Sequence, residues 1–301
     1  MPSKQQLSIA IIGLGNVGLA LCHLFTKYAC EGHKLKVIAA GRNLEGSIAK
    51  LKALQIDIEV TSTPEAIRRA DLCLLTVKDS QIQGLCELHS KEFKPNSVVA
   101  HCSGSLDSEI LISAKRDSGA AICSMHPLNT FPTPKAAILT VDDPRHNTYL
   151  YSEGDQSALD MCDPLFTNLG FNLLRISREG KPAYHAACVF ASNYLVSLID
   201  ASEAAAQAAG IDSNQFTKSI MPLAKATLSN IEQDGKLSAL SGPIARGDAD
   251  TVAKHVELLS ALDSSLHEAY VDLGLRALEL AQTKGNLSES SIAKLRAALK
   301  N

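Results

Sequence analysis

An α/β domain followed by an all-α domain is the architecture this sequence predicts, on three observations. The uncharged, β-branched run Ile9–Ile12 ends in Gly13-x-Gly15-x-x-Gly18 and passes straight into LALCHLF, whose apolar spacing is helical. Apolar runs of strand length then alternate with helical stretches as far as Ile176, the pattern of βαβ units around a doubly wound parallel sheet. From Ser177 the strand signals stop and an alanine- and leucine-rich helical periodicity runs to the end, so the domains are read as 1–177 and 178–301.

The first unit is a strand, a tight turn and a helix, and its glycines have separate duties. Gly13 makes the turn, Gly15 lets the backbone approach a pyrophosphate, and Gly18 lets helix and strand pack closely. The anion then lies at the helix N-terminus, cradled by the 13–18 turn with Leu14, Asn16 and Val17. Leu35–Ala40 reads as the second strand and ends in Gly41-Arg42-Asn43. The acid that grips the ribose 2′-hydroxyl of NAD is missing there, and a guanidinium suited to the 2′-phosphate of NADP is present. NADP is therefore expected over NAD. Asp57–Val60 reads as a short strand, Pro64–Arg69 as a short helix, and Asp71–Val77 as a buried strand. Its tip, Thr76-Val77-Lys78, is expected along the cofactor, with Asp79 capping the next helix.

Two further strands, Ser97–Ala100 and Ala120–Ser124, end in polar tips, His101-Cys102-Ser103-Gly104-Ser105 and Met125-His126-Pro127-Leu128-Asn129-Thr130-Phe131-Pro132. Ser103 and Ser105 read either as helix caps ahead of Leu106 or as site hydroxyls, Ser103 also touching the cofactor. His126 is the candidate for proton transfer, because an imidazole titrates near neutrality. A metal site built from His101, Cys102, Cys123 and His126 is not expected: the spacing matches no zinc pattern, and alternate strand residues face opposite ways. Ala137–Val141 and Thr148–Ser152 read as strands, Gln156–Leu169 as a helix, and Asn172–Ile176 as the last strand.

The second domain opens on a helix expected over Pro182–Ala209, on the order of 40 Å long. His185, Val189, Ser192, Asn193 and Val196 share one stripe of it, either as a core polar network or as a wall facing the nicotinamide. Its excess apolar length predicts a homodimer. Arg246, in the SGPIARGD turn, either grips an anionic substrate or faces solvent. Asp248 or Asp250 caps a helix over Thr251–Leu262, and Ser264–Thr283 and Ser288–Leu299 complete the domain.

Composition narrows the class. A net charge of −3 over 301 residues gives no basic surface for nucleic acid or for an anionic membrane. Glycines and an asparagine interrupt the uncharged stretch Leu7–Phe25, and no cleavage pattern follows before Glu31, so export is not expected. The eight cysteines, at 22, 30, 73, 86, 102, 123, 162 and 188, include no CxxC and read as reduced thiols, as in the cytoplasm.

Four stretches carry a resemblance: HCSGSL at 101–106, HPLNTFP at 126–132, YHAACVFASNYLV at 184–196 and SGPIARGD at 241–248. They resemble a group of proteins assigned as NADP oxidoreductases, with a Rossmann-like domain followed by a helical domain of unknown function. That group lies in the superfamily with a C-terminal domain like that of 6-phosphogluconate dehydrogenase. Pyrroline-5-carboxylate reductases, ketopantoate reductases, prephenate dehydrogenases and deazaflavin-dependent NADP reductases also belong to it. Ser105 with the His126-Pro127 turn is similar to the substrate-facing pair of prephenate dehydrogenases, and HPLNTFP loosely to the MPNTP turn of pyrroline-5-carboxylate reductases. The catalytic lysine that hydroxyacid dehydrogenases carry one helical turn before an asparagine is missing: Val189 stands one turn before Asn193.

The resemblance implies hydride transfer between NADP and a small, anionic carbonyl, imine or alcohol substrate in the interdomain cleft, without metal. His126, Ser105, Asn193, Ser103, His185 and Arg246 are the candidate catalytic residues. The alternative is a nucleotide-binding sensor or scaffold that keeps the cofactor site and lacks chemistry.

Overall fold

The computed structural model describes residues 6–30, 34–142 and 148–300, and Cys30 lies outside the described side chains. The chain divides into two compact units, Met1–Ser192 and Asn193–Asn301. Composition draws the seam at 177–178 and packing draws it at Ser192. The helix Lys181–Ala191 stays with the first unit because Lys181 is buried against the sheet and Tyr184 bonds to it.

The first unit is built on one sheet of eight strands: β1 (Leu7–Ile12), β2 (Leu35–Ala40), β3 (Glu59–Thr61), β4 (Leu72–Leu75), β5 (Val98–His101), β6 (Ala121–Leu128), β7 (Tyr149–Gly154) and β8 (Asn172–Arg175). Their order is β3-β2-β1-β4-β5-β6-β7-β8, parallel throughout except where β7 runs antiparallel to β6. The interleaved helices are α1 (Asn16–Cys30), α2 (Leu44–Ala53), α3 (Thr63–Arg69), α4 (Asp79–Leu88), α5 (Ile112–Ser118), α6 (Pro134–Asp142), α7 (Gln156–Asn168) and α8 (Lys181–Ala191).

Strand alternation explains why both faces are dry. Ile9, Ile11, Val37, Ala39, Leu72 and Leu74 point into one core with α1 and α7, whereas Ala10, Ile12, Ile38, Ala40, Cys73 and Leu75 point into the other with α3, α4 and α5. Strands buried on both faces read as nearly continuous apolar runs, as β1 and β2 do. In such sheets ligands bind beyond the carboxyl ends of the strands, and that is where Gly13, Gly41, Thr76 and Cys102 follow β1, β2, β4 and β5.

The apolar stretch Ala137–Val141, expected as a strand, is helical, inside α6, because Pro134 suits a helix start and the Thr133 hydroxyl accepts from the Ala136 N–H. The strand expected to stop at Ser124 continues through His126 to Leu128, because antiparallel pairing with β7 carries the ladder on, with His126 opposite Tyr151.

The second unit is all helical: α9 (Asn193–Ala208), α10 (Ser213–Ala239, kinked at Gly235), α11 (Gly242–Arg246), α12 (Ala249–Leu262), α13 (Ser264–Lys284) and α14 (Glu289–Ala298). Its core gathers Ile244, Val252, Val256, Leu278, Leu295 and Leu299. The single helix expected over Pro182–Ala209 is two helices, broken at Ser192, whose φ of −123° and ψ of −69° are not helical. Among the described residues no helix is long and apolar enough to cross a membrane.

Candidate functional site

The glycine turn has the geometry its spacing implies. Gly13 sits at φ +103°, and a Cβ there would meet Val77 at 2.7 Å. A Cβ on Gly18 would come within 2.1 Å of the Gly13 carbonyl oxygen, so helix and strand close only on glycine. Gly15 is different: its missing side chain faces open space, with nothing nearer than the Thr76 carbonyl at 3.9 Å. That vacant face lies at the start of α1, where free N–H groups favour an anion.

Around it lies a groove of about 590 Å³, lined by Gly13, Leu14, Gly15, Asn16 and Val17, by Gly41, Arg42 and Asn43, by Thr76, Val77 and Lys78, and by Ser47, Lys50 and Phe131. A dinucleotide fits this shape and chemistry. The side chains divide the work. Asn43 accepts from the Gly46 N–H and caps α2. The Thr76 hydroxyl donates to the Gly13 carbonyl at 2.6 Å and so fixes the turn. Arg42 is exposed and ion-pairs with no carboxylate among the described residues. Lys50 brings a second cation to the groove by donating to the Leu14 carbonyl at 3.2 Å. Asn16 donates to the Phe131 carbonyl at 2.6 Å, which ties the turn at the end of the 126–132 stretch to the cradle.

Beside the cradle is a tighter polar cluster. Ser103, buried, donates to the Asp79 carboxylate at 2.6 Å and accepts from the N–H groups of Ser105 and Leu106. Ser105 donates to the same carboxylate oxygen at 3.0 Å. Asp79, expected as a helix cap, is instead the first residue of α4, and its carboxylate gathers these two hydroxyls. Ser103 is thus a turn cap and a cluster member together, and it does not line the cradle.

His126 pairs through Nδ1 with the Tyr184 hydroxyl at 2.7 Å. Its other side and His185 pack on the bare face of Gly104: a Cβ there would lie 2.9 Å from His126 Nε2 and 2.7 Å from His185 Nδ1. The His185 Nδ1 is buried without a hydrogen-bond partner among the described residues. Burial first, then the Lys181 ammonium and His185, hold the His126 imidazole down to about 4 against the pull of Asp79. The expectation of titration near neutrality is therefore corrected: His126 is neutral at pH 7. His101 is also held at about 4, mainly by burial, with Nε2 on the Asp107 carbonyl and Nδ1 accepting the Ser103 N–H.

Three participants escaped the sequence reading. Lys181 is 1% exposed, and its Nζ donates to the Ser103 carbonyl at 2.8 Å and to the Ser124 hydroxyl at 2.5 Å. Buried Glu153 accepts from the N–H and hydroxyl of Ser108. Tyr184, in the 184–196 stretch, bonds to His126, a pairing that nothing local in the sequence marks. The only available signals were weak: a lysine just before a helix-starting proline, and a glutamate in an apolar strand. Asn193 and Arg246 belong to the second unit, Asn193 exposed at the start of α9 and Arg246 exposed at the end of α11. Asp248 caps α12, accepting from the Thr251 N–H at 3.1 Å.

Comparison with known proteins divides the chain earlier than the packing seam at Ser192. Residues 2–127 match the Rossmann-like domain family, and residues 148–277 match a domain of unknown function, DUF2520. No curated protein matches the chain. Among solved structures, a Thermotoga maritima protein is 20% identical with a TM-score of 0.68, the match covering 92% of this chain and 100% of that one. A Bacteroides fragilis protein assigned as an NADP oxidoreductase is 17% identical with a TM-score of 0.69, covering 91% and 98%. A pyrroline-5-carboxylate reductase from Streptococcus pyogenes is 17% identical with a TM-score of 0.60, covering 92% and 98%. At these identities the likeness carries the fold.

Proposed function

For a chain that joins a Rossmann-like domain to DUF2520, we propose an NADP-dependent oxidoreductase acting on a small, anionic carbonyl, imine or alcohol. The observation that carries this reading is the open face of Gly15 in a groove lined by exposed Arg42 and by Lys78, with Asp79, the residue after Lys78, holding the Ser103 and Ser105 hydroxyls. The nicotinamide supplies hydride when bound. Arg42 and Lys50 hold phosphate charge, and the Ser105 hydroxyl orients the reacting group. A neutral imidazole has one N–H and one lone pair, so His126 donates a hydrogen bond or relays a proton with Tyr184, whose phenol burial keeps protonated. The likeness to an NADP oxidoreductase and to a pyrroline-5-carboxylate reductase supports the cofactor and the small substrate class. The test is NADPH oxidation followed at 340 nm against keto acids, aldehydes and cyclic imines, with at least one member turned over.

The second reading is a nucleotide sensor without chemistry, favoured by Val189 standing where hydroxyacid dehydrogenases carry a lysine. NADPH binding with no turnover across that panel selects it. We propose homodimer assembly through the second unit, because α10 buries none of its residues within the chain and α9 buries only Ala206. Leu223 and Val196 are 62% and 71% exposed. Light scattering at micromolar concentration should give twice the chain mass, and the monomer mass refutes it. The described cysteines are free thiols, which supports a reducing compartment.

A further inference from the structure

Lys181 is among the largest fully buried side chains of the molecule, and no described carboxylate forms an ion pair with it. Its ammonium is held by two neutral oxygens, the carbonyl of Ser103 on the turn after β5 and the hydroxyl of Ser124 on β6. Glu153, the carboxylate with the largest pull on it, is engaged by Ser108 and by Arg178 at 3.5 Å. A buried cation without an opposite charge is costly, and an apolar side chain of that length would serve packing as well. Beyond the β5–β6 ladder, the two tips that carry Ser103–Ser105 and His126 share one long bond, from the Ser124 hydroxyl to the Ser103 carbonyl at 3.5 Å, and the ammonium closes that link with two shorter ones.

We propose that Lys181 is a positioning residue: its Nζ clamps the Ser103–Ser105 turn to β6, fixing the bare face of Gly104 against His126 and His185. The inference rests on the reductase reading for what the turn serves, and its primary readout does not. Only glycine fits at position 104, since a Cβ there would lie within 3.0 Å of His126 and His185. Burial is the main cause that holds both His126 and His101 neutral, and the same ammonium adds to it by lowering their proton affinity. The groups facing this charge are Asp79 from α4, Cys102 and Asp107 from the turn after β5, and Glu153 from β7; His185 from α8 faces His126.

The experiment titrates His126 by the NMR shift of its ring proton in the unmutated protein, in Lys181→Met and in Lys181→Gln, and measures NADPH affinity in each. Removing the ammonium should raise the His126 midpoint by roughly one pH unit or more in both variants, the scale of a nearby charge. NADPH affinity should stay within about twofold, because Lys181 does not line the cradle. With a substrate in hand, Lys181→Met should lose about 10-fold to 100-fold in turnover, the scale of a small misplacement of reacting groups. Lys181→Gln, which keeps a donor for the Ser103 carbonyl, should regain part of that loss. A folded Lys181→Met protein whose His126 titrates as in the unmutated chain overturns the inference, and if Met does not fold, the same result in Gln does so. Absence of turnover in the unmutated protein ends the reductase reading and leaves the titration to decide this one.

Discussion

The cofactor cradle and the His126 cluster lie in the same unit and are built on opposite principles. The cradle is open, made of backbone and exposed cations, and its decisive feature is a face left vacant at Gly15. The cluster is closed, with His101, Ser103, Ser124 and Lys181 all buried and nearly every polar atom paired. An open anion site gains from exposed charge, because the ligand completes it. A proton-handling site gains from burial, because burial sets which proton is held. Mutations should therefore act on ligand affinity in the cradle and on turnover in the cluster.

The largest expected effect tests that separation. His126→Ala should lower turnover by about 100-fold to 10,000-fold while NADPH affinity stays nearly intact. An unchanged rate with any substrate of the panel would move the role to Ser105 or His185.

Next in size is a contrast inside the glycine turn. Gly15→Val should melt close to the unmutated protein, because its side chain points into free space, yet lose NADPH binding by at least about 10-fold as it fills the groove. Gly18→Ala should instead destabilise the fold, because its methyl would lie 2.1 Å from the Gly13 carbonyl oxygen. Equal melting temperatures for the two variants would break the assignment of their roles.

A smaller effect is read in stability against pH. His101 and His126 are both held at about 4, below the 6.5 of an unfolded histidine, so between these values the unfolded chain binds more protons than the native one. Stability is therefore full above pH 6.5 and falls as the pH drops towards 4, by at most about 1.4 kcal/mol per pH unit for each ring. Denaturant midpoints measured from pH 7 to pH 4 check this, and His126→Asn should flatten the slope. An activity limb on the acid side should likewise lie near 4 and not near neutrality.

The two regions also differ in how far the sequence discloses them. Gly13, Gly15, Gly18 and Arg42 are legible because strand, turn and helix are local and each residue type answers a local demand. The cluster depends on pairs far apart in the chain: Asp79 with Ser103, Ser103 with Lys181, His126 with Tyr184. Types such as Ser103 and His126 could be picked out at strand tips, but no local pattern says that a lysine before Pro182 is buried against them. Where helix and strand are mistaken for one another, the origin is local. Ala137–Val141 carries a strand-like composition, and the Thr133–Pro134 start decides for a helix. The long helix read through Ser192 has unbroken periodicity, and the break lies in a backbone conformation that residue composition does not reveal.

The most direct test of the central claim, an NADP site at the β1–α1 turn, is calorimetric titration of the purified protein with NADPH and with NADH, repeated on Arg42→Ala. Tighter binding of NADPH is predicted, with Arg42→Ala weakening NADPH by about 1 to 3 kcal/mol, the worth of a hydrogen bond to a charged group, and leaving NADH nearly unchanged. Equal affinity of the unmutated protein for the two nucleotides, or no binding of either, would contradict it.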